Sequence, residues 1–428
     1  MAKSLGQHHS SRCGDDDLKM IKVARITLTD LGGTGLCVQR LHDAYRLLYG
    51  NDTLLIANGV RYDESIIIAE KDKRDNYHHK KTYIGTKIYH LLLRLRLVSK
   101  DILFREKLDK TRRIREHFFT LPFSDYKNIR ELSIIKDADI INLHWIGDFV
   151  DIPSFVKDTG KPLVWSLHDE NPARGGLHYD CPYPEYRRLD RELQKVKIKA
   201  LKNVQNLNIV VQSKKMEEFC LNSKVLGKYP VTVIPNGVNV SQFVCKDKTE
   251  SRKELDLPLN SKVFLFSSVD IYDKRKGLAY LISALEQLND ENVILLCIGR
   301  YDKVPQTKIE VRCLGYIDDH NKHSSIISSS DYFVLSSFQE SFAKTPLEAM
   351  ACGIPVIAFP CSGVEDCITK DTGVICSDFT IESLNKGIRE ALAHKYDRDK
   401  IRNHVKKYFT FEIMAKKYRA LYESILRK

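Results

Sequence analysis

The sequence predicts an α/β protein of two successive domains, each a parallel, doubly wound sheet covered by helices. Three observations predict it. Apolar runs of strand length alternate with stretches of helical periodicity through most of the 428 residues. The rhythm breaks at Pro235-Asn236-Gly237, a turn signal, and a second series of apolar runs then begins. Hydrophobic residues make up 43% of the chain, enough to fill two cores.

The first series opens with "IKVARIT" (21–27), followed by the glycines of "GGTG" (32–35) and by "LCVQRLHDAYRLL", which has helical periodicity. Its later strands are "TLLIAN" (53–58), "DIINLHW" (139–145), "PLVWSLH" (162–168) and "NIVVQS" (208–213). The second series has "KVFLFSS" (262–268), "NVILLCIG" (292–299), "VRCLGYI" (311–317), "DYFVLSS" (331–337) and "IPVIAF" (354–359), with "GLAYLISALEQL" (277–288) among its helices. Two Rossmann-like domains facing across a cleft follow, 20–240 and 241–407, with ligands bound outside the carboxyl ends of the strands. The closing helix, within 408–428, takes Thr410 as its N-cap. Its stripe of Ile413, Tyr418, Leu421 and Ile425 faces a core, and the helix is expected to return to the first domain. The polar opening, 1–19, has no apolar segment of a secretory signal and reads as a disordered tail or an expression-vector remnant.

Composition narrows the function classes. No run of about 20 apolar residues exists, which excludes a transmembrane helix. The 11 cysteines form no CxxC pair, as in a reduced, cytoplasmic protein without a structural zinc site. A formal charge of +12 suits a polyanionic partner. The excess is densest between Lys80 and Arg115, where Leu91, Leu95, Val98 and Ile102 recur at helical spacing. Two readings of this basic amphipathic segment stand level: a solvated surface helix packed on its own domain, or a contact with an anionic membrane. Aromatic residues do not interleave with the basic run as a single-strand nucleic-acid binder requires.

The chemistry concentrates in "ESFAKTPLEAMACGIPVIAF", from Glu340. One reading is structural: Thr345 as N-cap, Pro346 at N1 and Glu348 at N3 form a capping box, and Gly353 ends a short helix. The other is functional. The helix start follows strand 331–337 at its ligand-binding end, so the backbone N–H groups of Phe342, Ala343 and Lys344 can hold a diphosphate, helped by the helix dipole. Glu348 then accepts hydrogen bonds from a ribose diol, and Glu340 from the hydroxyls of a sugar beyond the phosphates.

Glu340–Glu348 resembles the E-x7-E motif of retaining GT-B glycosyltransferases, and "LEAMACGIPV" resembles the GT4-type group of that family. "VIPNGVNVSQF" is similar to the element that ends the family's first domain. "NLHWIGDF" and "PLVWSLHDENPARGGLHY" resemble first-domain signatures of capsule and lipopolysaccharide glycosyltransferases. The resemblance runs from about Ile26 to Leu426. It implies a donor site in the second domain and an acceptor site in the first. Gly32, Gly33 and Gly35 match the family's glycine-rich loop, where the absence of a Cβ permits close backbone approach; a plain βα turn is the alternative. His168 matches a strand-end histidine that contacts the transferred sugar or acceptor, though it also reads as a structural partner of Asp169. His144 holds the analogous place on the preceding strand.

In "DKRKGL", Arg275 and Lys276 match the cations that neutralise the nucleotide diphosphate. Many relatives carry a further arginine where this chain has Asp270; Lys274 and Lys344 are the candidates to replace it. Thr345 belongs to the same donor-binding turn. Tyr316 and Ile317 fall where relatives hold the nucleobase, and read equally well as core residues. Asp137 and Asp139 form a DxD ahead of a strand, read as structural, so no metal is required if cations stabilise the leaving diphosphate.

The resulting expectation is a cytoplasmic GT-B glycosyltransferase, retaining and without cofactor. Its co-substrate is a nucleotide-diphosphate sugar, UDP before GDP. Its acceptor is a glycan or lipid-linked saccharide of surface polysaccharide synthesis. Peripheral attachment at the inner face of the plasma membrane goes with residues 80–115, and nucleic acid is not a partner. Two rivals remain: a nucleotide-sugar 2-epimerase of the same fold, and a non-catalytic basic binding protein.

Overall fold

The structure, a computed structural model, describes residues 20–29, 32–50, 52–58, 66–69, 91, 95, 99–114, 118–124, 126, 129–361 and 363–427. Seven strands form the first sheet: β1 (Val23–Thr29), β2 (Asp52–Asn58), β3 (Ile66–Ile68), β4 (Ile140–Leu143), β5 (Leu163–Ser166), β6 (Leu207–Val211) and β7 (Val231–Val233). Their order is β3-β2-β1-β4-β5-β6-β7, and every pair is parallel. Six form the second: β8 (Lys262–Asp270), β9 (Val293–Arg300), β10 (Glu310–Cys313), β11 (Tyr332–Leu335), β12 (Val356–Ala358) and β13 (Gly373–Ile375). Their order is β10-β9-β8-β11-β12-β13, again all parallel.

Parallel strands joined through crossover helices are covered on both faces, which is why the strands read as continuous apolar runs. β4 and β5 are buried throughout, as are the first seven residues of β9. The strand order reverses between β1 and β4 in the first sheet and between β8 and β11 in the second. At such a reversal neighbouring crossovers leave in opposite directions and open a crevice at the strand ends.

The chain passes between the domains twice, at adjacent places. Val238 donates to the Phe409 carbonyl at 2.8 Å, and Val238 bridges Thr410. Thr410 caps the last helix, Phe411–Leu426, by accepting from the Ile413 N–H at 3.3 Å. That helix lies on the first sheet: Phe411, Met414, Tyr418 and Tyr422 pack with Val23, Leu41, Ile140 and Val164. A buried polar cluster fixes it further. The Arg25 guanidinium donates to Asp52 at 2.5 Å, to Asn142 at 2.6 Å and to the Tyr422 hydroxyl at 3.1 Å. A cation buried this deeply stays charged because it is paired and hydrogen-bonded at once.

Three expectations change. The glycines of 32–35 form no loop ahead of a helix: the helix Gly32–Tyr49 begins at Gly32, so Gly32, Gly33 and Gly35 are its first turn. Strand 311–317 ends at Cys313, and Gly315, at φ 73°, turns the chain away from the sheet. The stripe in the basic segment divides. Leu91 and Leu95 are exposed, whereas Ile102 is buried in the helix Lys100–Ile114. Val98 and residues 80–90 lie outside the described residues, as do 1–19.

Candidate active site

A cleft of about 890 Å³ lies between the two sheets, at both crevices. Gly33, Trp145, His168 and Asp169 line it from the first domain; Ser268, Asp270, Lys276, Glu340 through Thr345, and Glu348 line it from the second.

Local chemistry brings the second-domain charges together. Asp273 caps the short turn Lys274–Lys276 by accepting from the Arg275 N–H at 3.0 Å. Gly277 closes that turn at φ 71°, where an added Cβ would lie 2.1 Å from the Ser336 carbonyl oxygen. Without that glycine the turn would not lie against the end of β11. Because it does, Lys276 pairs with Glu340 through Nζ and Oε1, and Arg275 reaches the same carboxylate at 3.5 Å. Arg275 also donates to the Gln339 carbonyl at 2.7 Å and lies over the Tyr179 ring of the first domain at 5.3 Å.

The capping box does not form. In the helix Thr345–Ala351 the N-cap position is Lys344, no side chain caps it, and Pro346 is the second residue. Glu348 turns instead toward Arg40 of the first domain, 3.8 Å away. Gly353 does end the helix, at φ 77°. Among the described residues the backbone N–H groups of Phe342, Ala343 and Lys344 meet no protein acceptor. Unsatisfied N–H groups at a cleft are ready donors to a ligand. Lys344 crosses to the first domain and donates to the Gly33 carbonyl; burial lowers its pKa. Of the two candidates to replace the missing arginine, Lys344 lines the cleft and Lys274 does not. Tyr316 and Ile317 both line it, and Tyr316 is 63% exposed, so it is no core residue.

The first-domain wall is of a different kind. His168 Nε2 and His144 Nδ1 are 2.9 Å apart. Burial, foremost, lowers both pKa values, that of His168 to about 4, so both rings are neutral near pH 7. Asp169 is not the partner of His168. Its carboxylate accepts from His178 Nδ1 at 2.6 Å and from the Asn171 N–H at 2.9 Å. His178 Nε2 meets the Thr120 hydroxyl at 2.9 Å, giving a carboxylate–imidazole–hydroxyl series. This is a scaffold and not a nucleophilic triad. Thr120 is buried, its oxygen also accepts from Asn171 Nδ2 at 3.2 Å, and a Cβ on Gly147 would lie 2.2 Å from it.

Asp139 accepts the Lys22 N–H at 2.9 Å at the amino end of the sheet, the end opposite the cleft strand ends. Sequence reasoning did not single out Arg40, Tyr179, His178 or Gln339. Gln339 Nε2 donates to Glu170 of the first domain at 3.1 Å. Nothing in the spacing of these residues marks them, because each acts across the cleft or across a loop.

Fold and site together define the GT-B class of two-domain α/β proteins. Residues 247–408, most of the second domain, match the family model described as Glycosyl transferases group 1. The chain is 26% identical over 255 residues to the putative teichuronic acid biosynthesis glycosyltransferase TuaC of Bacillus subtilis (strain 168), covering 58% of this chain and 60% of that one. It spans between half and three fifths of the length of the first curated relatives it matches. Among solved structures, sucrose-phosphate synthase from Thermosynechococcus elongatus has a TM-score of 0.67 at 18% identity, over 95% of this chain and 99% of that one. Anabaena HepE in complex with UDP and glucose has a TM-score of 0.62 at 14% identity, over 94% and 100%.

Proposed function

We propose that this protein transfers a hexose, with retention of configuration, from a nucleotide-diphosphate sugar to the hydroxyl of a glycan or lipid-linked saccharide. One observation carries the reading. Lys276, Arg275 and the unsatisfied N–H groups of Phe342, Ala343 and Lys344 converge in one cleft, which His168 lines from the other domain. The diphosphate lies along those N–H groups, with Lys344 and Thr345 beside it. Glu348 takes the ribose diol, Ile317 packs on the base, and Glu340 takes hydroxyls of the sugar. Arg275 and Lys276 neutralise the charge that grows on the departing diphosphate. The acceptor hydroxyl, held on the face the nucleotide leaves, attacks there. UDP is preferred to GDP; the HepE complex, which contains UDP and glucose, supports this. The TuaC relative supports a surface polysaccharide product.

The acceptor's lipid carrier places the protein at the inner face of the plasma membrane, through the basic helix Lys100–Ile114. Among the described residues no helix is long and apolar enough to cross a membrane. Lys110, Arg112 and Arg113 are exposed on this helix, Arg112 donating to the Phe119 carbonyl at 2.9 Å, whereas Ile102 is buried. Charge attraction, with Leu91, Leu95 and Ile114 among the exposed apolar residues, therefore carries the contact.

The test is incubation with UDP-, GDP- and ADP-hexoses, followed by mass spectrometry of nucleotide and sugar products. Release of UDP, increased by a lipid-linked saccharide, is expected. An epimerised donor with no transfer would replace this reading with donor isomerisation, and neither nucleotide release nor binding would overturn both.

A further inference from the structure

The two neutral histidines at the ends of β4 and β5 constrain each other. A neutral imidazole has one N–H and one lone pair, so a contact between His144 Nδ1 and His168 Nε2 at 2.9 Å needs one proton between them. Two arrangements satisfy it. If His168 Nε2 carries that proton, the other nitrogen of His144, Nε2, must carry one too. His144 Nε2 is buried and has no hydrogen-bond partner among the described residues, so this arrangement strands an N–H in the interior. Buried N–H groups without an acceptor are rare because their desolvation is uncompensated. If His144 Nδ1 carries the proton instead, His144 Nε2 holds only a lone pair. A doubly protonated His144 is disfavoured first by burial, then by His168 and by the buried Arg25 cation.

We propose that His144 is a positioning residue: it donates Nδ1–H to His168 Nε2, so that His168 carries its own proton on Nδ1 and offers a hydrogen-bond donor to a substrate oxygen in the cleft. The proposal rests on the transferase reading above for the identity of that oxygen, a hydroxyl of the transferred sugar or the acceptor. His168 lines the cleft, and its Nδ1 has no partner among the described residues. The groups that act on its ring are His144, Asp169 and Lys344. His168 is then a donor that holds a hydroxyl oxygen and does not take the proton of the attacking hydroxyl. The ring nitrogen that carries the proton is set by the bond the other nitrogen makes. His144 is itself 2% exposed, has no access to substrate, and acts only through His168.

The spectroscopic test uses the full chain labelled with 15N-histidine and long-range proton–nitrogen correlation, with His168→Gln to assign the His168 signals. A proton on Nδ1 is expected, and a proton on Nε2 would overturn the proposal. The kinetic arm compares His144→Asn, whose amide supplies a donor near the Nδ1 position, with His144→Leu, which supplies none. His144→Leu is expected to lower kcat/KM for the donor sugar by about tenfold, the scale of one lost hydrogen bond, with His144→Asn recovering most of it. UDP affinity should stay within about twofold in both, since the nucleotide is held from the other domain. Equal losses in the two variants, or a parallel loss of UDP affinity, would reduce His144 to a packing residue. If the wild-type protein turns over no nucleotide sugar, the transferase reading fails, and the spectrum still decides the tautomer.

Discussion

The first-domain wall of the cleft presents His168, a neutral ring held by the neutral His144 behind it, and Asp169, held by His178, whereas the second-domain wall brings Lys276, Arg275 and Glu340 together at close range. His144 and His168 share one hydrogen bond, and Asp169, His178 and Thr120 form a separate series beside them. Lys276, Arg275 and Glu340 share one site across the cleft, beside N–H groups without acceptors. The difference follows the proposed ligands. A diphosphate brings charge and needs countercharge at close range. A hydroxyl brings none and needs a fixed donor or acceptor, which the neutral histidine pair supplies without the desolvation penalty of an ion.

The sharpest way to break this division is Glu340→Ala. Turnover should fall by about a hundredfold or more, as when a group that acts on the transition state is removed. Free UDP binding should change little, which calorimetry beside a turnover assay checks. Equal loss in both would make Glu340 a binding residue and erase the distinction between sugar and nucleotide subsites.

Glu348→Ala sharpens the division from the other side. It should weaken UDP about tenfold, the scale of a lost charge-assisted hydrogen bond. Its effect on thermal stability should be small, because the Arg40 pair at 3.8 Å is of the kind worth ~1 kcal/mol or less and no cap bond is lost. A large drop in melting temperature with normal UDP binding would return Glu348 to a structural role.

The smallest effect concerns the outer face of the first domain. Lys110→Glu with Arg113→Glu should reduce co-sedimentation with anionic liposomes several-fold, since each basic residue near such a surface contributes up to ~1 kcal/mol. The reduction should vanish at high salt, and turnover of a soluble acceptor analogue should persist. No preference for anionic over neutral liposomes in the wild-type protein would leave this helix a solvated face.

The sheets were legible because buried parallel strands leave continuous apolar runs, and the break at Pro235 marks the passage between domains. The short strands β3, β7 and β13 were not: each has three residues, and β12, equally short, was legible only because it lies within the longer run "IPVIAF". Glu340, Glu348 and Lys276 were legible as a motif, but the role first assigned to Glu348 in the helix was not what forms. Local spacing fits a capping box, and Arg40, far away in sequence, offers the carboxylate a cationic partner instead. The His144–His168 contact was half legible, as two strand-end histidines. Its tautomer depends on an orphaned nitrogen that only packing reveals.

The central claim is that the second-domain wall holds a nucleotide diphosphate, and calorimetric titration of UDP tests it most directly. Lys276→Ala should raise the Kd at least about tenfold, at or above ~1.5 kcal/mol for a charge-assisted contact in a partly dehydrated cleft. Lys80→Ala, a basic residue far from the motif in sequence, should leave the Kd at the wild-type value. Equal affinities for the two variants, or no UDP binding by the wild-type protein, would contradict the account.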